Sequence, residues 1–150
     1  MLKRRDDDTD KPSAYDKALG LLTRREHSSR ELKTKLTARG YEADEVTETL
    51  ATLERSQYQS DARYAEVLAR SRIAAGYGPR FIEAELRTHG IAPACVREQL
   101  AAEDWHARAL QLVERRFRAL DSERDRNRAA QLLMRRGFPG TAIREAIRRR

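Results

Sequence analysis

The tightest constraint on this chain is a pattern that it writes three times. Leu32, Leu36, Gly40, Tyr41, Val46 and Leu50 recur 50 positions later as Ile82, Leu86, Gly90, Ile91, Val96 and Leu100. A further 47 positions on they become Ala129, Leu133, Gly137, Phe138, Ile143 and Ile147. Two apolar residues four apart share one helix face. A glycine four residues later fits a left-handed helix cap, the apolar residue after it is the contact such a cap carries, and the last pair lies on one face of another helix. Glycine recurring between the two apolar pairs is what separates this pattern from a chance match among Leu-rich helices.

Each unit has a helix in front of that pattern. Tyr15, Ala18, Leu19 and Leu22 mark it in the first, Tyr64, Val67 and Leu68 in the second, and Ala109, Leu110, Val113 and Phe117 in the third. The start signals agree. Ser28 with Glu31, and Ser122 with Asp125, read as capping boxes; Glu42, Asp44 and Glu45 suit the positive end of a helix; Pro93 and Pro139 suit first-turn positions. Val, Ile and aromatic residues are few, and 37% charged against 39% hydrophobic residues is too polar for one thick core. The expected fold is all-α: three tandem three-helix repeats over residues 15–57, 58–104 and 105–150, elongated and curved, after a disordered tail over 1–14.

The joint before the second helix differs in each unit. It is Glu26-His27 in the first, Gly76-Tyr77-Gly78 in the second and a charged stretch after Leu120 in the third. Two glycines two apart let the backbone take a positive φ or pass close to a neighbour, and Pro79 fits the first helical position after them. The same turn could hold one phosphate at the helix N-terminus. It lacks the Walker-type glycine-lysine run and the preceding strand of a nucleotide-binding loop. Tyr77 has two readings, an exposed contact on the turn or a lid over the helix junction.

No catalytic set assembles. Ser28 beside His27 is accounted for as a helix cap, and no buried acid is placed to orient that ring. His89 occupies the position of Arg39 and Arg136 in the other repeats and reads as a solvated polar residue; His106 has no partner at metal spacing. Cys95, the single cysteine, excludes an intrachain disulfide and reads as a small helix-packing residue. No enzyme activity, metal or cofactor is expected. With no long apolar run and no signal-like start, the expected location is the cytoplasm, away from membranes.

The net charge is +7, and its distribution says more than its size. The segments 1–14, 15–57, 58–104 and 105–150 carry 0, 0, −1 and +8. In the first repeat the cations stand on the first two helices and the acids on the third. In the last, Arg115, Arg116, Arg118, Arg124, Arg126, Arg128, Arg135 and Arg136 form a dense field, followed by Arg148, Arg149 and Arg150. Any single arginine can be a solvated surface residue, but the field suits a phosphate backbone or an acidic protein groove, which arginine meets bidentately. Phe117 and Phe138 sit at core spacing, which gives no base-stacking platform.

Tyr58-x-x-Asp61-x-Arg63-Tyr64-Ala65, Arg70-x-Arg72, Gly76-Tyr77-Gly78-Pro79, Ile82, Glu85-Leu86 and Gly90-Ile91 closely resemble the signature of the RecX family, bacterial regulators of the RecA recombinase. Arg24-Arg25-Glu26-His27-Ser28-x-x-Glu31-Leu32 is similar to that family's first-repeat motif, and Gln59 stands where the family commonly has an apolar residue. The resemblance runs from Tyr15 to the C-terminus. It implies a modulator that binds along the groove of the RecA–DNA filament and limits ATP hydrolysis, strand exchange and coprotease activity; the expected state is a monomer. That role belongs to recombination, DNA repair and the SOS response. It also implies contact with single- and double-stranded DNA that is weaker alone or assisted by RecA.

On that reading the filament-facing residues are Arg24, Arg25, Lys33 and Lys35 in the first repeat, Arg70, Arg72, Tyr77 and Arg80 in the second, and Arg126, Arg128, Arg135 and Arg136 in the third. The central repeat, with arginines on both flanks of its turn, is the best candidate for the contact surface. Two other classes compete. A stand-alone basic helical DNA-binding protein would bind DNA tightly without RecA, with steep salt dependence. A protein-only scaffold would keep its basic surfaces for solubility.

Overall fold

The computed structural model describes residues 11–148. Those residues form α1 (Ala14–Arg24), α2 (Ser29–Ala38), α3 (Ala43–Arg55), α4 (Asp61–Ala74), α5 (Pro79–Thr88), a 3₁₀ turn (Pro93–Val96), α6 (Arg97–Ala101), α7 (Trp105–Arg116), α8 (Glu123–Arg135) and α9 (Gly140–Arg148), with no strand among the described residues. The architecture is all-helical, three three-helix repeats in tandem. The chain divides into two compact units, one ending at Tyr64 and one beginning at Ala65.

The motif that organised the sequence is a helix stop. Gly40, Gly90 and Gly137 take φ of +86°, +69° and +85°. In each case the N–H of the residue after the glycine donates to a carbonyl five residues back: Tyr41 to Leu36, Ile91 to Leu86 and Phe138 to Leu133, at 3.0–3.3 Å. The glycine N–H donates three residues back, so two carbonyls that a helix end would leave bare are satisfied. The apolar residue that follows turns inward: Tyr41, Ile91 and Phe138 are all buried.

In the first unit α1, α2 and α3 pack on one another around Ala14, Ala18, Leu32, Leu36, Tyr41, Val46 and Leu53, with Leu19, Leu22 and Leu50 half-buried at its edge. Ser13 and Ser28 cap α1 and α2, accepting the N–H of Asp16 and of Glu31 at 3.1 Å. The expected tail lies outside the described residues as far as Asp10. From Lys11 the chain is described: the Tyr41 hydroxyl donates to the Pro12 carbonyl at 2.6 Å, and the Lys11 ammonium donates to the Arg39 carbonyl and lies 4.1 Å from the Tyr41 ring centroid. Arg149 and Arg150 also lie outside the described residues.

In the second unit the third repeat packs α7 and α8 against α9. Ala109, Ala142 and Ala146 are fully buried, and their small side chains allow a close α7–α9 approach, with Leu133, Val113 and Phe138 filling the rest. The second repeat departs from expectation in its last helix, which splits into the 3₁₀ turn and the five-residue α6. Pro93 opens it without an N–H, the Cys95 N–H closes a three-residue turn on the Ala92 carbonyl, and Val96 and Leu100 still reach the core. Cys95 is therefore not a packing residue; it is exposed on that turn. Val67, expected on the core face of α4, is also exposed, while Ala65, Leu68, Ala69 and Ile73 are buried.

Candidate interaction surface

The turn between α4 and α5 uses its two glycines for different reasons. Gly76 has φ +90°, and the N–H of Tyr77 donates to the Arg72 carbonyl at 3.0 Å, so Gly76 is a fourth helix-stop glycine. Gly78 has an ordinary φ of −97° and is needed for space: a Cβ there would lie 2.6 Å from the carbonyl carbon and oxygen of Gly137. Gly137 returns the constraint, since a Cβ on it would meet the Phe81 backbone and lie 2.7 Å from the Phe81 Cβ.

This approach is hydrogen-bonded. The Gly78 N–H donates to the Arg136 carbonyl at 2.6 Å and the Arg80 N–H to the Gly137 carbonyl at 3.0 Å. Free donors at the start of α5 thus meet free acceptors at the end of α8, positive dipole end against negative. A phosphate has no place in that turn, because two of its N–H groups are already bonded to carbonyls. Around the clasp the Tyr77 ring stacks 4.2 Å from Phe81, and the Arg136 guanidinium lies 4.4 Å from the Tyr77 ring while donating to the Ala75 carbonyl at 3.1 Å. Of the two readings of Tyr77, the structure has the lid.

The expected surface residues fall into two groups. Arg72 holds Glu85 bidentately at 2.7 and 2.6 Å, tying α4 to α5; Arg136 belongs to the clasp; Arg25 pairs with Glu31; Lys35 lies 3.3 Å from Glu31 and 3.0 Å from the His27 ring. Arg70 pairs with Glu66 at 3.3 Å, but both are exposed, so that pair contributes little. Arg24, Lys33, Arg80, Arg126, Arg128 and Arg135 are exposed and form no ion pair among the described residues. Arg128 lies 5.8 Å over the Phe117 ring.

The two motifs that carry the family resemblance in the first unit turn out to be two sides of one latch. Asp61 Oδ1 accepts from the Ser29 N–H and from the Gln59 amide, both at 2.9 Å, and that amide also donates to the His27 carbonyl at 3.3 Å. Arg63 Nε donates to Glu26 at 2.9 Å, and its other nitrogens donate to the Gln57 and Tyr58 carbonyls. Gln59 is thus a buried polar residue whose amide is satisfied, where an apolar residue would leave the connector carbonyl without this donor. His27 is 2% exposed; its Nδ1 donates to the Arg25 carbonyl and its Nε2 accepts from Lys35, each at 3.0 Å. Contrary to expectation an acid stands beside the ring, with Glu31 Oε1 3.7 Å from Nε2. The spacing in steps of four, with Glu31 and Lys35 on one face of α2 and His27 just ahead of the Ser28 cap, was the available signal.

Burial holds the His27 imidazole below its ordinary range, with nearby Arg25 and Lys35 adding to that and the Arg25 carbonyl and Glu31 opposing it. Glu31 is also lowered; its burial acts upward but is outweighed by Arg25, His27 and Lys35. Both folded-state pKa values lie below the unfolded ones, so both groups give stability that is present above the unfolded pKa and lost as pH falls. The thermal midpoint should hold above roughly pH 6.5, where unfolded histidine is neutral, decline below it as the His27 contribution is lost, and decline again below about pH 4.3 as the Glu31 contribution goes. Melts followed by circular dichroism should show the upper part of that decline flattened in His27→Gln.

Three family models match the chain in sequence order: RecX, first three-helix domain, over residues 14–53; the second three-helix domain over 60–100; and the third over 102–147. The chain belongs to the RecX family. It is 46% identical over 136 residues to Regulatory protein RecX of Stenotrophomonas maltophilia (strain K279a), covering 88% of this chain and 83% of that protein. To Regulatory protein RecX of Xanthomonas axonopodis pv. citri (strain 306) it is 45% identical over 136 residues, covering 88% and 84%. The crystal structure of RecX from Lactobacillus salivarius matches the fold with a TM-score of 0.75 at 24% identity, over 91% of this chain and 93% of that one. A second structure, of regulatory protein RecX, gives 0.78 at 24% identity, over 91% and 72%. No helix among the described residues is long and apolar enough to cross a membrane.

Proposed function

We propose that this chain is a cytoplasmic modulator of the RecA recombinase that binds along the groove of the RecA–DNA filament and limits ATP hydrolysis, strand exchange and coprotease activity. The observation that carries this is the run of three RecX domain models over residues 14–147, joined to relatives 44–46% identical that bear the name regulatory protein RecX. The geometry supports it in a narrower way. Arg24, Lys33, Arg80, Arg126, Arg128 and Arg135 are exposed with no ion pair among the described residues, as a partner lined by phosphates and carboxylates requires. Arg25, Lys35, Arg72 and Arg136 hold the frame that carries them.

The test is RecA-catalysed ATP hydrolysis on single-stranded DNA with this protein added well below the RecA concentration. The rate should fall at sub-stoichiometric ratios. A rate unchanged at every ratio would count against the proposal.

A further inference from the structure

One stripe of α8 carries Arg124, Arg128, Gln131 and Arg135 at spacings of four, three and four residues. Beside it an open groove runs to the end of α7, lined by Arg116, Phe117, Arg128, Gln131, Leu132 and Arg135. None of the six is acidic, and among the described residues Arg116, Arg128 and Arg135 make no ion pair. Three unneutralised like charges around one groove repel one another, and a bound polyanion relieves that repulsion. Phe117 and Leu132 are half-buried, so the groove offers no exposed apolar anchor of the kind that centres a protein interface. Phe117 instead supports the Arg128 guanidinium from below.

The spacing suits a linear polyanion. At a rise of about 1.5 Å per residue, Arg124 and Arg128 stand about 6 Å apart along the helix and Arg128 and Arg135 about 10 Å. Cations in a row of that period suit an anion whose charge repeats along a chain, and the glutamine between them can donate to an uncharged or phosphate oxygen. We propose that this groove binds the phosphodiester backbone of a single DNA strand without regard to sequence. The inference deepens the filament reading by assigning DNA, rather than RecA, to this side of the third repeat, and it adds Arg116 and Gln131 to the contact set.

The experiment is fluorescence anisotropy of a labelled oligo(dT) with the full chain and no RecA, titrated at several salt concentrations. Three phosphate contacts give a slope of log affinity against log salt that is steeper by about 2 than without them, at about 0.7 per contact. The variant Arg116→Gln/Arg128→Gln/Arg135→Gln should bind at least about tenfold more weakly at low salt and lose that part of the slope, while Arg97→Gln, an exposed arginine elsewhere, should match the parent. Should the triple variant lose helicity, the single variants carry the same test, each flattening the slope by about 0.7. Unchanged affinity and slope, or displacement of oligo(dT) by polyglutamate as effectively as by unlabelled oligo(dT) of equal charge, overturns the proposal; the second outcome would make the groove an acidic-protein site. RecA is absent, so failure here leaves the filament reading to its own ATPase test.

Discussion

Gly137→Ala is expected to be among the most disruptive single-methyl changes in the protein, costing roughly 3–5 kcal/mol. An alanine at φ +85° is strained by about 1–2 kcal/mol wherever it stands. Here the new Cβ also meets the backbone of Phe81, so the α8 end must move away from α5. That strands the Gly78 and Arg80 N–H groups, each worth about 1 kcal/mol when bonded and more when left buried without a partner. The comparison that isolates the clasp is Gly40→Ala. Gly40 has nearly the same φ, +86°, yet its nearest neighbour is the flexible end of Lys11 at 3.7 Å. It should cost only the conformational part, about 1–2 kcal/mol. Thermal or urea unfolding of the two variants decides the matter: equal losses would mean that the backbone approach contributes nothing.

The second large effect concerns which arginines bind and which hold the frame. Arg24→Ala/Arg80→Ala/Arg135→Ala should unfold within about 0.5 kcal/mol per site of the parent, because none of the three side chains forms an ion pair among the described residues. On the proposed reading it should bind the RecA filament at least tenfold more weakly, a loss of about 1.4 kcal/mol or more. Arg72→Ala should behave the other way. Its bidentate partner Glu85 is 21% exposed and Arg72 is 35% exposed, so solvent screening limits the loss to about 1–2 kcal/mol, but that loss is one of stability. Arg136→Ala should join it, since its guanidinium covers Tyr77 and bonds the Ala75 carbonyl. A stable triple variant with undiminished filament binding would show that the outward cations are solvated surface and nothing more.

The helices and their stops were legible because the information is local. A glycine four residues past an apolar pair, followed by an apolar residue, specifies a left-handed cap without knowledge of any other part of the chain, and Ser13, Ser28, Asp104 and Ser122 all cap as hydroxyl or carboxylate residues do. The faces were less legible by one residue. Leu110 and Leu112 both fit the apolar stripe of α7, and Leu112 rather than Leu110 is buried, as Leu68 rather than Val67 is in α4. The split of the second repeat's last helix was not legible, because Pro93 fits the first position of a 3₁₀ turn as well as that of an α-helix.

The surface was legible in its charge and not in its pairing. Nothing in the sequence near Arg72 says that Glu85 lies across the turn, and nothing near Arg136 points to a carbonyl 61 residues earlier. The α4–α5 turn looked like a phosphate site for the same reason. Its donors are unsatisfied locally, and the carbonyls that satisfy them come from the end of α8. The second unit therefore contains a joint that only the folded chain discloses, made by two glycines of different repeats for which no other side chain leaves room.

The proposed function is tested most directly by co-sedimentation of this protein with RecA, with RecA filaments assembled on single-stranded DNA, and with that DNA alone. A groove-binding modulator should pellet with the assembled filament, at well below one copy per RecA, and far less with either component alone. Equal recovery with bare DNA and with the filament would contradict it and leave a stand-alone DNA-binding protein in its place.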